Sequence, residues 1–300
     1  MSENFMYDGG TVSVIGLGHM GTRLAQAFLA GGVSTTVWNR TAAKADALAA
    51  RGAKRATTVA EAVSSASVVV VCLPEYDTVR ALLEPVGPDL AGRVLVNLTS
   101  GTPESARLMS RWAADHGAGY LDGAAMSGTR LVGGPDALFV FSGAAEAFAG
   151  HRTTLVSLGN AVHLGDDPGL AAVYDTALFG LAWGALAGFY HALSLVGVED
   201  VDPAAFAEVA AGHMPYVTSL MTDHARQVQQ DRYPADDGTV QVHAAAMQHL
   251  VDASLAGGLR TDVPELMRSL LERAEAAGHG ADGMAAVART IRYGAQRVRD

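Results

Sequence analysis

The segment 11–41, TVSVIGLGHMGTRLAQAFLAGGVSTTVWNRT, constrains the fold more than any other stretch of the chain. A β-branched run leads into a glycine turn, an alanine-rich helix and a second strand. The turn Gly16-Leu17-Gly18-His19-Met20-Gly21 is a G-x-G-x-x-G that follows a strand and opens a helix, the context a dinucleotide-binding βαβ unit requires. Gly16 allows the tight turn, Gly18 lets the backbone approach a pyrophosphate, and Gly21 lets helix and strand pack closely. The anion then rests on the free N–H groups of a helix N-terminus, so all six turn residues are expected to bind cofactor.

The end of the second strand sharpens this. A free ribose 2′-hydroxyl usually meets an acid about 20 residues past the glycines. That place holds Trp38-Asn39-Arg40-Thr41, with Lys44 one turn later. No carboxylate stands there to repel a 2′-phosphate, and Arg40, Thr41 and Lys44 can supply charge-assisted hydrogen bonds to one. The expected cofactor is NADP(H), bound by Asn39, Arg40, Thr41 and Lys44. The alternative makes Arg40 and Lys44 plain surface charges, but a helix N-terminus is a poor place for unpaired cations.

Three hundred residues suggest two domains. A net charge of −10 argues against nucleic-acid or anionic-membrane partners. The single cysteine, Cys72, excludes an internal disulfide; following Val68-Val69-Val70-Val71, it reads as a buried thiol in a reducing compartment, so the expected location is cytoplasmic. The N-terminus lacks a basic region followed by an apolar run and reads as a loose tail. No metal-ligand spacing appears among the histidines: His243 and His249 fall on different faces of a helix.

The first half alternates strand signals (11–16, 34–38, 67–73, 93–98, 119–122, 137–142, 161–164) with helical stretches such as 41–51, 76–83 and 103–116. Near-continuous apolar runs imply strands buried on both faces. The expected fold is α/β, a Rossmann-type doubly wound sheet, with ligands beyond the carboxyl ends of the strands. Two loops fall there, Cys72-Leu73-Pro74 and Asn97-Leu98-Thr99-Ser100-Gly101-Thr102-Pro103. The second is also a plain helix N-cap, which is compatible with Asn97 or Thr99 touching a ligand.

Beyond Gly165 the periodicity is helical. A stretch of about 30 residues from Pro168 would span roughly 45 Å, longer than a small domain needs. Residues 176–198 carry no Asp, Glu, Lys or Arg, the length of a membrane span. Tyr190, His191 and Ser194 interrupt it and no basic flank follows, so burial under a second subunit is favoured over lipid. Helical stretches follow at 202–211, 217–230, 240–256, 262–277 (Asp262 as N-cap) and 281–297. The expected domains are 1–166 for the nucleotide, 167–198 as an interdomain helix and 199–300 as an all-α dimerisation and substrate domain.

Asp175 heads the uncharged part of the long helix among Val173, Tyr174, Ala177 and Leu178. A carboxylate in such company is costly unless it is paired or protonated. It is the candidate catalytic group, aimed at the nicotinamide pocket, with Asp167 about two turns earlier on a similar face. Aromatic and thioether side chains (Tyr174, Phe179, Trp183, Met214, Tyr216, Met247) could wall an apolar substrate pocket.

Together, Gly-Leu-Gly-x-Met-Gly, Trp-Asn-Arg-Thr with Lys44, the loop from Asn97, and Gly165-x-Asp167-x-Gly169-x-Ala171 followed by Asp175 resemble the imine reductases of the β-hydroxyacid dehydrogenase superfamily. The resemblance covers nearly the whole chain. It implies NADPH-dependent reduction of C=N bonds in small-molecule imines, with aspartate where the hydroxyacid dehydrogenases carry a lysine. It implies a homodimer with exchanged helical domains and a site shared between subunits. Asn97, Asp167, Met247 and Gln248 match pocket positions, and aspartate at 175 implies R-selectivity for simple cyclic imines. Phe179 departs from the pattern. So does Ser127-Gly128-Thr129, which keeps part of the dehydrogenases' carboxylate-binding motif; Ser127 is placed near the cofactor.

The substitution makes chemical sense. An iminium is a cation that an ammonium repels and a carboxylate attracts, by several kcal/mol for charges about 4 Å apart in a low-dielectric pocket. Two roles stay open for Asp175, proton donor or fixed negative charge. The other functions weighed are a hydroxyacid dehydrogenase, disfavoured by the missing lysine, and a non-enzymatic NADP(H) sensor, which needs no acid in an apolar pocket.

Overall fold

A computed structural model describes residues 10–291. By compactness the chain divides into two units, Met1–Leu181 and Ala182–Asp300.

The first unit is built on eight strands: β1 (Thr11–Ile15), β2 (Ser34–Trp38), β3 (Lys54–Arg55), β4 (Val68–Val71), β5 (Val94–Asn97), β6 (Gly119–Ala125), β7 (Leu138–Gly143) and β8 (Asn160–His163). They form one sheet in the order β3-β2-β1-β4-β5-β6-β7-β8. All neighbours run parallel except β6 and β7. The helices between them are α1 (His19–Ala30), α2 (Ala43–Ala49), α3 (Val59–Ser64), α4 (Tyr76–Leu83), α5 (Pro103–Asp115) and α6 (Ala145–Leu155).

The valine run of β4 shows why the sheet is covered on both faces. Side chains alternate across a strand, so Val68 and Val70 join one core with Leu24, Phe28 and Leu48, while Val69 and Val71 join the other with Val79, Leu83 and Met109. Helices α1, α2 and α6 therefore lie on one face and α3, α4 and α5 on the other. Burying one such side chain fully stabilises the fold by about 1.5–3 kcal/mol. Strand order reverses between β1 and β4, which opens a crevice beyond their carboxyl ends.

Helix α7 (Leu170–Gly197) follows β8 and runs through the division between the units. Its start is fixed by two side chains. Ser142 Oγ on β7 donates to the Pro168 carbonyl and accepts the Ala171 amide, both at 2.9 Å. Arg107 on α5 grips the Asp167 carboxylate with two bonds, at 2.9 and 2.7 Å, while Asp167 Oδ1 caps the Gly169 amide. Beyond Ala171 and Ala172 no residue of α7 is buried. The helix is long and apolar enough to cross a membrane by length and composition.

The second unit adds α8 (Pro203–Gln230), α9 (Val240–Ala256) and α10 (Asp262–Ala274). The sequence suggests two helices over 202–230, but α8 is continuous through Pro215. Proline deletes one backbone bond without ending a long helix, and the Thr218 hydroxyl serves the Met214 and Pro215 carbonyls. No residue of α8 is buried within the chain. Helix α10 stops at Ala274, short of the expected 277, because the chain widens into a π turn over Glu275–His279 with Gly278 at φ 92°. Thr261 occupies the N-cap position, and Asp262 instead pairs with Arg260. Beyond the turn, Met284–Val287 is a 3-10 turn and Ala288–Ile291 a short helix; the rest of the expected 281–297 helix and the N-terminal tail to residue 9 lie outside the described residues.

Candidate active site

The glycine turn is shaped by contact. Gly16 has φ +97°, and a Cβ there would stand 2.3 Å from the Cys72 carbonyl oxygen. A Cβ on Gly21 would stand 1.9 Å from the Gly16 carbonyl oxygen, so only glycine lets α1 begin where it does. Around Gly18 the space is open. Gly18 caps α1 without a side-chain bond, and the first turn carries no acid. His19 is exposed, Met20 half-buried and Leu17 buried. The Leu17 amide is taken by Asn39 Oδ1 at 2.9 Å, while Asn39 Nδ2 donates to the Thr41 carbonyl. Asn39 thus clamps the glycine turn to the β2–α2 turn and sets Arg40, Thr41 and Lys44 beside it, all three exposed. Arg40 and Lys44 make no ion pair among the described residues. An open glycine, an uncapped helix N-terminus and free cations past β2 fit a dinucleotide carrying a 2′-phosphate.

A cavity of about 250 Å³ opens at the reversal point. Met20 lines it from α1, Cys72, Leu73 and Pro74 from the loop after β4, and Leu98 and Ser100 from the loop after β5. Ala124 and Ala125 close it from β6, Phe139 from β7, and Asp175 from α7. Asp175 is there because of helical spacing: Ala171, fully buried, packs against Ala124 and Val140, and Asp175 is the residue one turn on along the same face. Its carboxyl group is the one acid on an otherwise mostly apolar wall. Burial pushes the Cys72 thiol up to about 11, partly offset by the Gly21 amide, so the thiol is an inert wall.

Several residues singled out in the sequence lie elsewhere. Asp167 does not reach the cavity; Arg107 holds it on the outside and keeps its carboxyl below the usual range. Asn97 and Thr99 are buried rather than presented to a ligand. Asn97 Oδ1 accepts the Thr99 amide, and the Thr99 hydroxyl accepts the Leu73 amide, tying the two cavity loops together. The Ser127 hydroxyl accepts the Leu138 amide at 2.9 Å and so serves its own hairpin. Tyr174 and Phe179 stand outside the cavity wall, 47% and 65% exposed. Trp183, Met214, Tyr216, Met247 and Gln248 belong to the second unit. There Gln248 donates to Asp252 and accepts from Arg268.

Tyr76, Tyr120 and Asp122 carry no comparable mark in the sequence. The one signal in the sequence is an acid, Asp122, in the middle of the otherwise uncharged strand GYLDGAA.

A doubly wound sheet with this turn and this cavity defines a nicotinamide-dinucleotide oxidoreductase. Residues 11–165 match the NAD binding domain of 6-phosphogluconate dehydrogenase, and residues 167–293 the C-terminal domain of NADPH-dependent reductive aminase-like proteins. The chain is 32% identical over 292 residues to an NADPH-dependent reductive aminase from Aspergillus oryzae, covering 94% of this chain and 97% of that protein. An imine reductase from Myxococcus stipitatus, solved with NADP+, superposes with a TM-score of 0.88 at 38% identity, over 94% of this chain and all of that one. A reductive aminase from Aspergillus terreus, solved with NADPH4, cyclohexanone and allyl amine, gives 0.88 at 34% identity, over 95% and 100%. The chain belongs to this family of NADPH-dependent imine reductases and reductive aminases.

Gly21→Ala is expected to displace α1 and weaken NADPH binding about tenfold or more, read by quenching of protein fluorescence; unaltered affinity would contradict the close approach described above.

Proposed function

We propose that this chain reduces the C=N bond of small imines with NADPH, and that Asp175 meets the reacting bond as a cation. The observation that carries the proposal is the place of Asp175 on the cavity wall at the carboxyl edge of the sheet. Protonation of an imine makes its carbon electrophilic and its nitrogen cationic. At about 4 Å and an effective dielectric near 20, a carboxylate attracts such a charge by about 4 kcal/mol. Bound at the glycine turn, NADPH supplies the hydride.

The chain's residues do the rest. The open N-terminus of α1 at Gly18, His19 and Met20 receives the pyrophosphate, and Arg40, Thr41 and Lys44 hold the 2′-phosphate. Cys72, Leu73, Pro74 and Phe139 keep water from the reacting face. The carboxyl oxygens of Asp175 hold the proton on the imine nitrogen, either keeping it there or having delivered it. Coupling of a ketone with an amine is a natural extension, supported by the ligands of the Aspergillus terreus relative. R-selectivity with simple cyclic imines is the further expectation attached to aspartate at this position.

We also propose that a second copy of the chain completes the site. Apolar side chains along α7 are widely exposed, Leu181 at 49% and Tyr190 at 51%, and α8 buries nothing of its own. Faces of this extent are covered by a partner in stable proteins. Tyr174, Phe179 and Trp183, with Met214, Tyr216, Met247 and Gln248, then wall the substrate side. In this arrangement 1–166 carries the cofactor, 167–198 links, and 199–300 dimerises; the first boundary falls between the two matched family regions. Hydroxyacid oxidation is disfavoured, since no lysine stands at 175 and the Ser127 hydroxyl is already engaged.

With NADPH and a five- or six-membered cyclic imine, Asp175→Ala and Asp175→Asn should each lower kcat/KM by about a hundredfold or more, followed as loss of reduced-cofactor absorbance. Equal turnover by all three proteins would refute the assignment. Arg40→Ala should weaken NADPH about tenfold more than NADH in direct titrations; equal losses would remove the 2′-phosphate contact.

A further inference from the structure

Beneath the cavity lies a polar cluster that the reaction described so far does not use. Asp122 on β6 is 1% exposed and pairs in register with Asn97 on β5. Its Oδ1 accepts two phenol hydroxyls, those of Tyr76 and Tyr120. The Tyr120 hydroxyl in turn accepts Asn97 Nδ2 at 3.3 Å. From Asn97 the bonds continue to the Thr99 amide and, through the Thr99 hydroxyl, to the Leu73 amide. A single chain of hydrogen bonds thus joins a buried carboxyl to both loops that wall the cavity. The ring of Tyr76 fills the space beside Gly101, where a Cβ would meet it at 2.5 Å.

The groups that face Asp122 are Tyr76 from α4, Asn97 from β5, Tyr120 from its own strand, Ser142 opposite it on β7, and Asp175 from α7. Ser142 is spent on the start of α7. Asp175 is the other carboxyl group among them, and it acts on Asp122 through space. No cation is among the influences on Asp122. Loss of water outweighs the two phenol donors, and the charge of Asp175 adds to it, so Asp122 is lifted to about 7. An asparagine would fill the same space without this cost.

We propose that Asp122 is a positioning residue for the reduction: when ionised, it adds a second negative charge behind Asp175 and tightens the binding of a cationic C=N substrate. The inference rests on the function proposed above, because only a cationic substrate gains from the extra charge. Asp175 touches the substrate and Asp122 does not; its effect reaches the cavity through a poorly screening interior. The sign follows. Below neutrality Asp122 carries its proton and adds no charge. As pH rises through neutrality the second charge appears and a bound cation is held more tightly. Binding of the cation in turn favours loss of that proton.

The test uses the full chain, NADPH and an N-methylated cyclic iminium salt, whose own charge does not vary with pH. Between about pH 6 and pH 8.5 the wild-type KM should fall about threefold or more, the size of a modest charge effect. Asp122→Asn should show no such fall. Tyr76→Phe and Tyr120→Phe each remove a donor to the carboxylate, so the midpoint of the fall should move to higher pH; they carry the test if Asp122→Asn does not fold. A purely architectural role would scale kcat and KM by the same factors at every pH. A wild-type fall that survives in Asp122→Asn, or a midpoint indifferent to both phenylalanine variants, overturns the proposal. Turnover with a pH-independent wild-type KM also overturns it and leaves the proposed function standing; no turnover of any iminium salt or imine removes both.

Discussion

Ser142 accepts the Ala171 amide and donates to the Pro168 carbonyl, and this pair of bonds decides where the long helix begins. The register of α7 follows from it. Ala171 seats against Ala124 and Val140, and the residue one turn on, Asp175, is delivered to the cavity edge. Arg107 and Asp167 brace the same junction from outside. A slip of one residue along α7 would rotate the carboxyl group by about 100°, away from the cavity. The chemistry of the site is therefore set by a short non-helical junction, well before the helix becomes the exposed apolar rod that a second copy is proposed to cover.

The cofactor side is built on another economy of space. Glycine at 16 and 21 allows strand, turn and helix to approach within distances no side chain permits, which leaves the helix N-terminus bare for an anion. Asn39 then performs two tasks at once. It satisfies the Leu17 amide and holds the following turn, where an acid would have repelled a 2′-phosphate. A residue that binds only backbone thus places the turn whose cations are proposed to hold the 2′-phosphate.

Local features were readable from the chain and long-range partnerships were not. The glycine turn, the VVVV strand and the long α7 each announce themselves through composition and period over a few residues. Asp167 does not, because its partner Arg107 lies sixty positions away, and a lone acid near a pocket looks functional until that guanidinium is seen. Asn97 is similar: at a strand end it looks presented to a ligand, yet pairing in register with Asp122 turns it into a buried cluster. The gap expected between 211 and 217 is absent because a 28-residue helix is cooperative enough to run through Pro215, which no short window of sequence displays. Asp122 is hidden for the same reason as Asp167: one of the phenols that hold it, Tyr76, lies 46 positions away on another element.

The account stands on a carboxylate facing a cationic C=N at the carboxyl edge of the sheet. Its most direct test is a crystal structure of the protein with NADP+ and a protonated cyclic amine, the product of the proposed reduction. The account predicts an Asp175 carboxyl oxygen about 2.7–2.9 Å from the amine nitrogen, a charge-assisted contact. An amine bound in the cavity with its nitrogen turned away, and Asp175 directed into solvent, would contradict it.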